Sequence, residues 1–253
     1  MRYLVLSDVH ANLPALEAVL EHAKKLGFDA TMFLGDAVGY YPCAEEAVQL
    51  IIGLNPVVRI LGNHDSALLE LAAGEQGDRW AAGLVMNVLE RQLVTLSGDS
   101  LRFLHSLEPR QVIDGFEAAH GALTHAWDYL STVNSAQTNM SLMAERVLFV
   151  GHTHVPKVFA RVANGSQELF RTVSFREPSG STYRVPPLAT VIANPGAVGQ
   201  PRDQIPLASY FMYDAADHVI THHRVAYDVK SVQAQVVAAG YPEMLAARLE
   251  TGR

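Results

Sequence analysis

Three times in the first 65 residues a short apolar run ends in a polar tip, and no other feature so narrows what this chain can fold into. Tyr3 to Leu6 is the first run, closed by Ser7-Asp8-Val9-His10. Asn12 is a good helix N-cap and Pro14 suits a first helical turn. Leu13, Leu16, Val19, Leu20, Ala23 and Leu26 then recur with helical spacing, up to a stop at Gly27. Thr31 to Leu34 is the second run, tipped by Gly35-Asp36, and Ala44 to Ile52 reads as its helix. Val57 to Leu61 is the third and runs straight into Gly62-Asn63-His64-Asp65. Strand, polar tip and helix in repetition predict a parallel-type α/β arrangement. In such sheets the ligand site lies at the carboxyl ends of the strands.

Residues 66–107 read as mainly helical, with Leu84, Val88 and Leu96 among the apolar positions. Strands return at Gln111 to Ala119, Val147 to Val150, Val158 to Val162, Glu168 to Phe175, Leu188 to Ile192, Ser209 to Tyr213 and His218 to Val225. The tail from Val229 to Leu249 is expected to be helical, broken by Gly240-Tyr241-Pro242. There is no linker, so the expectation is one domain over residues 1–253, built from two packed sheets flanked by helices. At 253 residues and 49% hydrophobic content the chain can bury a sizeable core.

Composition also excludes partners. A net charge of −7 without a Lys/Arg cluster disfavours binding to nucleic acid or an anionic membrane. No apolar run approaches the roughly 20 residues that cross a bilayer, and the N-terminal run is too short for a signal peptide. Cys43 stands alone, so nothing points to an oxidising compartment, and the cytoplasm is the default location. Oligomeric state is left open.

Five segments place metal-ligand side chains directly after an expected buried strand: Asp8-Val9-His10, Gly35-Asp36, Gly62-Asn63-His64-Asp65, His120-Gly121 and Gly151-His152-Thr153-His154. In Asp8-x-His10 and His152-x-His154 both side chains are expected on one face of an extended backbone. Taken singly, Gly62 to Asp65 reads as a turn and His120 as a core histidine; the conjunction of all five reads as a metal site. Mixed Asp, His and Asn donors suit Mn²⁺, Fe²⁺, Zn²⁺ or Ni²⁺. Two carboxylates, one hydroxide and neutral imidazoles leave two divalent ions with roughly one net positive charge, matched to an anionic phosphate ester.

This motif set resembles the calcineurin-like metallophosphoesterase superfamily: D-x-H, G-D, G-N-H-D, a His-Gly pair, then G-H-x-H. It is especially similar to the small bacterial phosphodiesterase-like branch through Asp8 to Asn12, Gly151 to Pro156 and Asn194 to Asp203. The resemblance implies a four-layer α/β/β/α sandwich with two divalent metal ions, manganese first among them, at the strand ends. It implies that Asp8, His10 and His154 hold one metal, that Asn63, His120 and His152 hold the other, and that Asp36 bridges them. His64 would assist the leaving group and Asp65 would orient His64. The implied activity is hydrolysis of a small-molecule or nucleotide phosphate ester, a phosphodiester first, by in-line attack of a metal-bridging hydroxide. Phosphomonoester hydrolysis and a non-catalytic protein-binding scaffold on the same fold are the alternatives.

The chain departs from its relatives at Ala11, Tyr41, Ala122-Leu123 and Ala197, none of which is an implied ligand. Other residues are read more plainly. His22 and His105 are expected at the surface or at caps, His222-His223 on a strand with one solvated side, and Cys43 in packing. His125 is a candidate for substrate contact, Arg202 for phosphate binding or a structural salt bridge, and Asn194 for support of a metal ligand.

Overall fold

The computed structural model describes residues 1–75, 83–113, 115–164, 167–176 and 180–253. Its first sheet begins as expected: β1 (Arg2–Leu6), β2 (Ala30–Phe33) and β3 (Val58–Arg59) run parallel, joined by α1 (Leu13–Leu26) and α2 (Ala44–Gly53). It continues antiparallel from β1 through β11 (Ala208–Asp214), β12 (Val219–Val225) and β9 (Ser181–Arg184). The second sheet contains β4 (Arg110–Ile113), β5 (Phe116–Ala119), β6 (Val147–Phe149), β7 (Lys157–Asn164), β8 (Gln167–Ser174) and β10 (Thr190–Asn194). Its order is β4-β5-β6-β10-β7-β8, with β5, β6 and β10 parallel.

Side-chain alternation along the strands sorts the core into three layers. Tyr3 and Val5 of β1, with Phe211 and Tyr213 of β11, face the second sheet and join its Phe116 and Phe149. Leu4 and Leu6, pointing the other way, pack with Leu16 and Val19 of α1. Leu148 and Ile192 leave the outer face of the second sheet toward Ala136 and Met140 of α6 (Val133–Met140). The result is helix, sheet, sheet, helix. The first helical layer also holds α3 (Asn63–Ala72), α4 (Leu84–Leu93), α5 (Gly98–His105), α7 (Val229–Ala238) and α8 (Glu243–Ala247).

Local signals explain the ends of α1. Asn12 Oδ1 accepts the Ala15 N–H at 3.2 Å, a proline sits in the first turn, and Gly27 ends the helix at φ 77°. Elsewhere the structure corrects the reading. The third strand stops at Arg59, because the chain peels off to give the Leu61 N–H to the Glu108 carbonyl at 2.8 Å. The strand expected over 111–119 is the β4–β5 hairpin, turning near Gly115 at φ 91°; Asp114 lies outside the described residues. The expected helical stretch 66–107 contains α3, α4 and α5, while its residues 76–82 lie outside those described. Two elements were not anticipated: β9 is only four residues long, and α6 is polar and rests on the Thr132–Ser135 capping box. His222 and His223 are both buried, because β12 is covered on both faces. Among the described residues no helix is long and apolar enough to cross a membrane.

Candidate metal centre

Five parallel strand ends, three from the first sheet and two from the second, deliver side chains to one place. Past β1, the loop Asp8–Ala11 is laced to the loop past β2: Asp8 N–H to Gly35 O at 3.0 Å, His10 N–H to Asp36 O at 2.9 Å and Ala11 N–H to Ala37 O at 2.8 Å. The loop after β10 joins them through Val198 N–H to Ser7 O and Gly199 N–H to Asp8 O, at 3.0 and 2.9 Å. These bonds hold an unusual backbone. Asp8, His10, Asp36, His152 and His154 all have φ between 51° and 67°, a left-handed conformation that non-glycine residues adopt rarely and chiefly at functional sites. The two D-x-H and H-x-H pairs therefore do not lie on an extended backbone. Each residue of these pairs, and Asp36 with them, sits on its own left-handed kink, and the kinks turn the side chains inward.

The side chains converge. One oxygen of Asp8 lies 3.2 Å from His154 Nε2 and 3.9 Å from His10 Nε2. Asp36 Oδ2 lies 3.3 Å from His120 Nε2 and 3.6 Å from His10 Nε2. Asp8, His10, Asp36 and His154 form one group of potential donors, and Asp36, His120 and His152 a second, with Asp36 in both. Asn63 joins the second, its Oδ1 lying 3.1 Å from His120 Nε2.

Each imidazole is locked from behind by a backbone carbonyl: His10 Nδ1 on Val38 O (2.9 Å), His120 Nδ1 on Leu34 O (2.7 Å), His154 Nδ1 on Gln200 O (2.6 Å) and His152 Nε2 on Trp127 O (2.9 Å). A carbonyl only accepts, so these nitrogens carry protons, and in the neutral rings the opposite nitrogens turn lone pairs to the centre. His10 Nε2 and His154 Nε2 then face each other at 3.1 Å, and His120 Nε2 faces a carbonyl oxygen. Acceptors aimed at acceptors, beside two buried carboxylates, fit divalent cations. The charges agree. Burial alone would raise Asp8 and Asp36, but neighbouring histidines hold both carboxyls below their usual range. Burial lowers His10 and His154 and brings His152 to about 4. His120 differs in direction: burial opposes its charge, but the carboxylates of Asp36 and Asp8 raise it to about 9, and the same negative charge would favour a cation.

A supporting shell positions these groups. Asp65 accepts four backbone N–H bonds, from Asp36 (2.8 Å), Ala37 (2.9 Å), Val38 (3.3 Å) and Gly62 (3.1 Å). Three of its four bonds go to the loop that carries Asp36 and the fourth to Gly62 of the loop before α3, a different task from the expected orientation of His64. Burial and the Asp36 charge push the Asp65 carboxyl up to about 7. An acid proton on either oxygen would face an N–H donor, so these bonds describe the carboxylate. Asp36 Oδ1 accepts the His64 N–H at 2.9 Å, in the first turn of α3, where the helix dipole favours an anion. A Cβ at Gly62 would fall 2.1 Å from that oxygen. Asn194 Nδ2 donates to Gly151 O and Thr153 Oγ1 at 2.5 and 3.1 Å, bracing the loop that bears His152 and His154.

Residues 1–218 match the sequence profile of the calcineurin-like phosphoesterase superfamily domain. The chain belongs to this superfamily. It is 33% identical over 258 residues to uncharacterized protein MJ0912 of Methanocaldococcus jannaschii, a match covering 98% of this chain and 97% of that one. Among solved structures it is similar to a metallophosphoesterase from Sphaerobacter thermophilus, at TM-score 0.86 and 36% identity over the full length of both chains. Protein PH1004 of Pyrococcus horikoshii OT3 shares the fold at TM-score 0.76 and 18% identity, covering 100% of this chain and 98% of that chain.

In this calcineurin-like phosphoesterase a cavity of about 290 Å³ opens over the cluster, and Asp36, Asn63, His64, His152 and His154 reach it. His64 is buried, 4.7 Å from the His10 ring, and burial lowers it to about 4 against the pull of Asp36. The remaining wall was largely missed by sequence reasoning: Tyr40, Val85, Trp127 and Tyr129, with Arg202. Tyr129 stacks on His152, with centroids 4.4 Å apart and planes at 14°. His125, the residue singled out in that segment, instead points to solvent beside Asp128; the apolar-polar mixture in Trp127-Asp128-Tyr129 was the available signal. Arg202 lies on the cavity and among the described residues has no ion pair. Its partners are Gln200, Tyr40 and Tyr129.

Proposed function

We propose that this protein is a dinuclear metal-dependent hydrolase of phosphate esters. Asp8, His10 and His154 would hold one divalent cation, Asn63, His120 and His152 the other, and Asp36 would be shared. The observation that carries the reading is the convergence of carbonyl-locked imidazole lone pairs on two buried carboxylates, one of which belongs to both groups. When bound, two such cations supply an activated water and neutralise charge developing on the phosphoryl oxygens. Mn²⁺ is the first choice, with Fe²⁺, Zn²⁺ and Ni²⁺ suited to the same donors.

The chain's own residues do the rest. Asp65 and Asn194 hold the ligand loops in their left-handed conformations. His64, neutral at pH 7 by virtue of burial, lines the cavity and would assist the leaving oxygen as a hydrogen-bond donor. A phosphodiester is the preferred substrate class, on the similarity of Gly151 to Pro156 and Asn194 to Asp203 to the phosphodiesterase-like branch.

The test is hydrolysis of paired chromogenic mono- and diesters by metal-stripped protein as each metal is added back. The expected result is metal-dependent turnover that favours the diester and falls about 10²–10⁴-fold in His64→Ala, with metal content unchanged. Dominant monoester turnover would make the protein a phosphatase. Two bound cations with no turnover of either ester would favour the protein-binding scaffold. Loss of metal together with activity in His64→Ala would sink the role given to that residue.

A further inference from the structure

Arg202 lines the cavity over the cluster and also a second cleft of about 500 Å³, so it stands where the two meet. Neutral groups hold its guanidinium in place, and among the described residues it makes no ion pair. Gln200 Oε1 accepts from Nη2 at 2.9 Å and from Nε at 3.3 Å, the Tyr40 hydroxyl from Nη2 at 3.2 Å, and the Tyr129 hydroxyl from Nη1 at 3.4 Å. All these partners are neutral, and they engage four of the five N–H donors of the guanidinium, so the charge and the remaining Nη1 donor are what Arg202 offers a phosphate or carboxylate. A second guanidinium, that of Arg248, lies as close to the Tyr40 ring as that of Arg202, both at 5.8 Å.

The second cleft repeats the sign. Lys157 and Arg176 line it together with Arg202. Its one acidic lining residue among those described, Asp203, is taken by an ion pair with Arg224. In a chain of net charge −7 this is a local inversion, and a concave wall concentrates its attraction for anions.

We infer that Arg202 is a specificity-determining residue that binds a second, non-reacting anionic group of the substrate. The substrate is therefore a small phosphate ester bearing a further phosphate or carboxylate, which runs past Arg202 toward Lys157 and Arg176. The inference rests on the phosphoester reading above for the group that reacts, and on Arg202 and the second cleft for the group that does not.

Calorimetric titration of the metal-loaded, full-length protein with three non-hydrolysable anions tests it. Methylphosphonate carries one anionic group, 3-phosphonopropionate adds a carboxylate, and methylenebisphosphonate adds a second phosphonate. At least one two-headed probe is expected to bind about tenfold or more tightly than methylphosphonate, a gap of about 1.4 kcal/mol. Which probe gains identifies the group. Arg202→Gln and, separately, the Lys157→Gln/Arg176→Gln double variant are expected to shrink that ratio, and Arg202→Lys to restore part of it. Equal binding of all three anions overturns the inference. So does a preference that survives both Arg202→Gln and the double variant in protein with unchanged metal content. Ester hydrolysis without any two-headed preference defeats this inference alone, and the preference without hydrolysis of any ester defeats the proposed function alone.

Discussion

Four imidazoles in the cluster each donate an N–H hydrogen bond to a carbonyl behind them, and that is what turns their opposite nitrogens toward one centre. The motif letters announce the ligand types, but the carbonyls that orient them belong to Leu34, Val38, Trp127 and Gln200, whose side chains are irrelevant to the task. Such partners are invisible in a sequence, because every residue has a carbonyl. Asp65 illustrates the same point from the other side. Its place next to His64 suggested a partner for that ring, whereas its carboxylate gathers four backbone N–H groups around Asp36. Asp65→Asn sets an NH₂ against those donors. It is expected to destabilise the fold by about 2–4 kcal/mol and to weaken cation binding by about 10–100-fold, read by urea unfolding and by metal titration. Unchanged stability and metal affinity with a loss of turnover alone would return Asp65 to the service of His64.

Elements were legible where one residue type carries a local signal. Asn12, Pro14 and Gly27 bound α1 as expected, and the polar tips after β1, β2, β3, β5 and β6 mark the site. Elements set by tertiary contacts were not legible: β9 exists because β12 offers it an edge, and β3 is short because Leu61 turns to Glu108. The pair His222-His223 shows the cost of guessing exposure from one strand. Phe175 and Phe211 flank His222, with Arg224 the charged neighbour, and Ser209 Oγ lies 2.8 Å from its Nε2. His22 and Tyr210 flank His223. Burial lowers the two rings from 6.5 to about 3 and about 4. The unfolded chain binds these protons below pH 6.5 and the folded chain does not, so the stability linked to them is complete above pH 6.5 and is lost as pH falls toward 4. His222→Gln, which can keep the bond to Ser209, is expected to flatten that loss, measured as the difference in urea midpoint between about pH 7.5 and pH 5. An unaltered difference would mean that His222 does not contribute to it.

On the scale of the whole molecule, two sheets face each other across an aromatic core, and this is what aligns five strand ends within reach of one another. Phe149 touches both Phe116 and Tyr213, at centroid distances of 5.9 and 5.0 Å, directly below the strand end that leads to His152. Phe149→Ala is expected to cost about 3–5 kcal/mol in chemical unfolding. A cost under about 1 kcal/mol would show that the inter-sheet core is not what fixes the sheets. The rhythm of the first 65 residues gave the parallel half of this plan, whereas the pairing of β1 with β11 joins residues about 200 apart and leaves no local trace. The site proposed at the strand ends would take two cations that share Asp36. The most direct test is calorimetric titration of metal-stripped, full-length protein with Mn²⁺. Two equivalents per chain are predicted; saturation at one, or no binding, would rule out a two-cation site sharing Asp36.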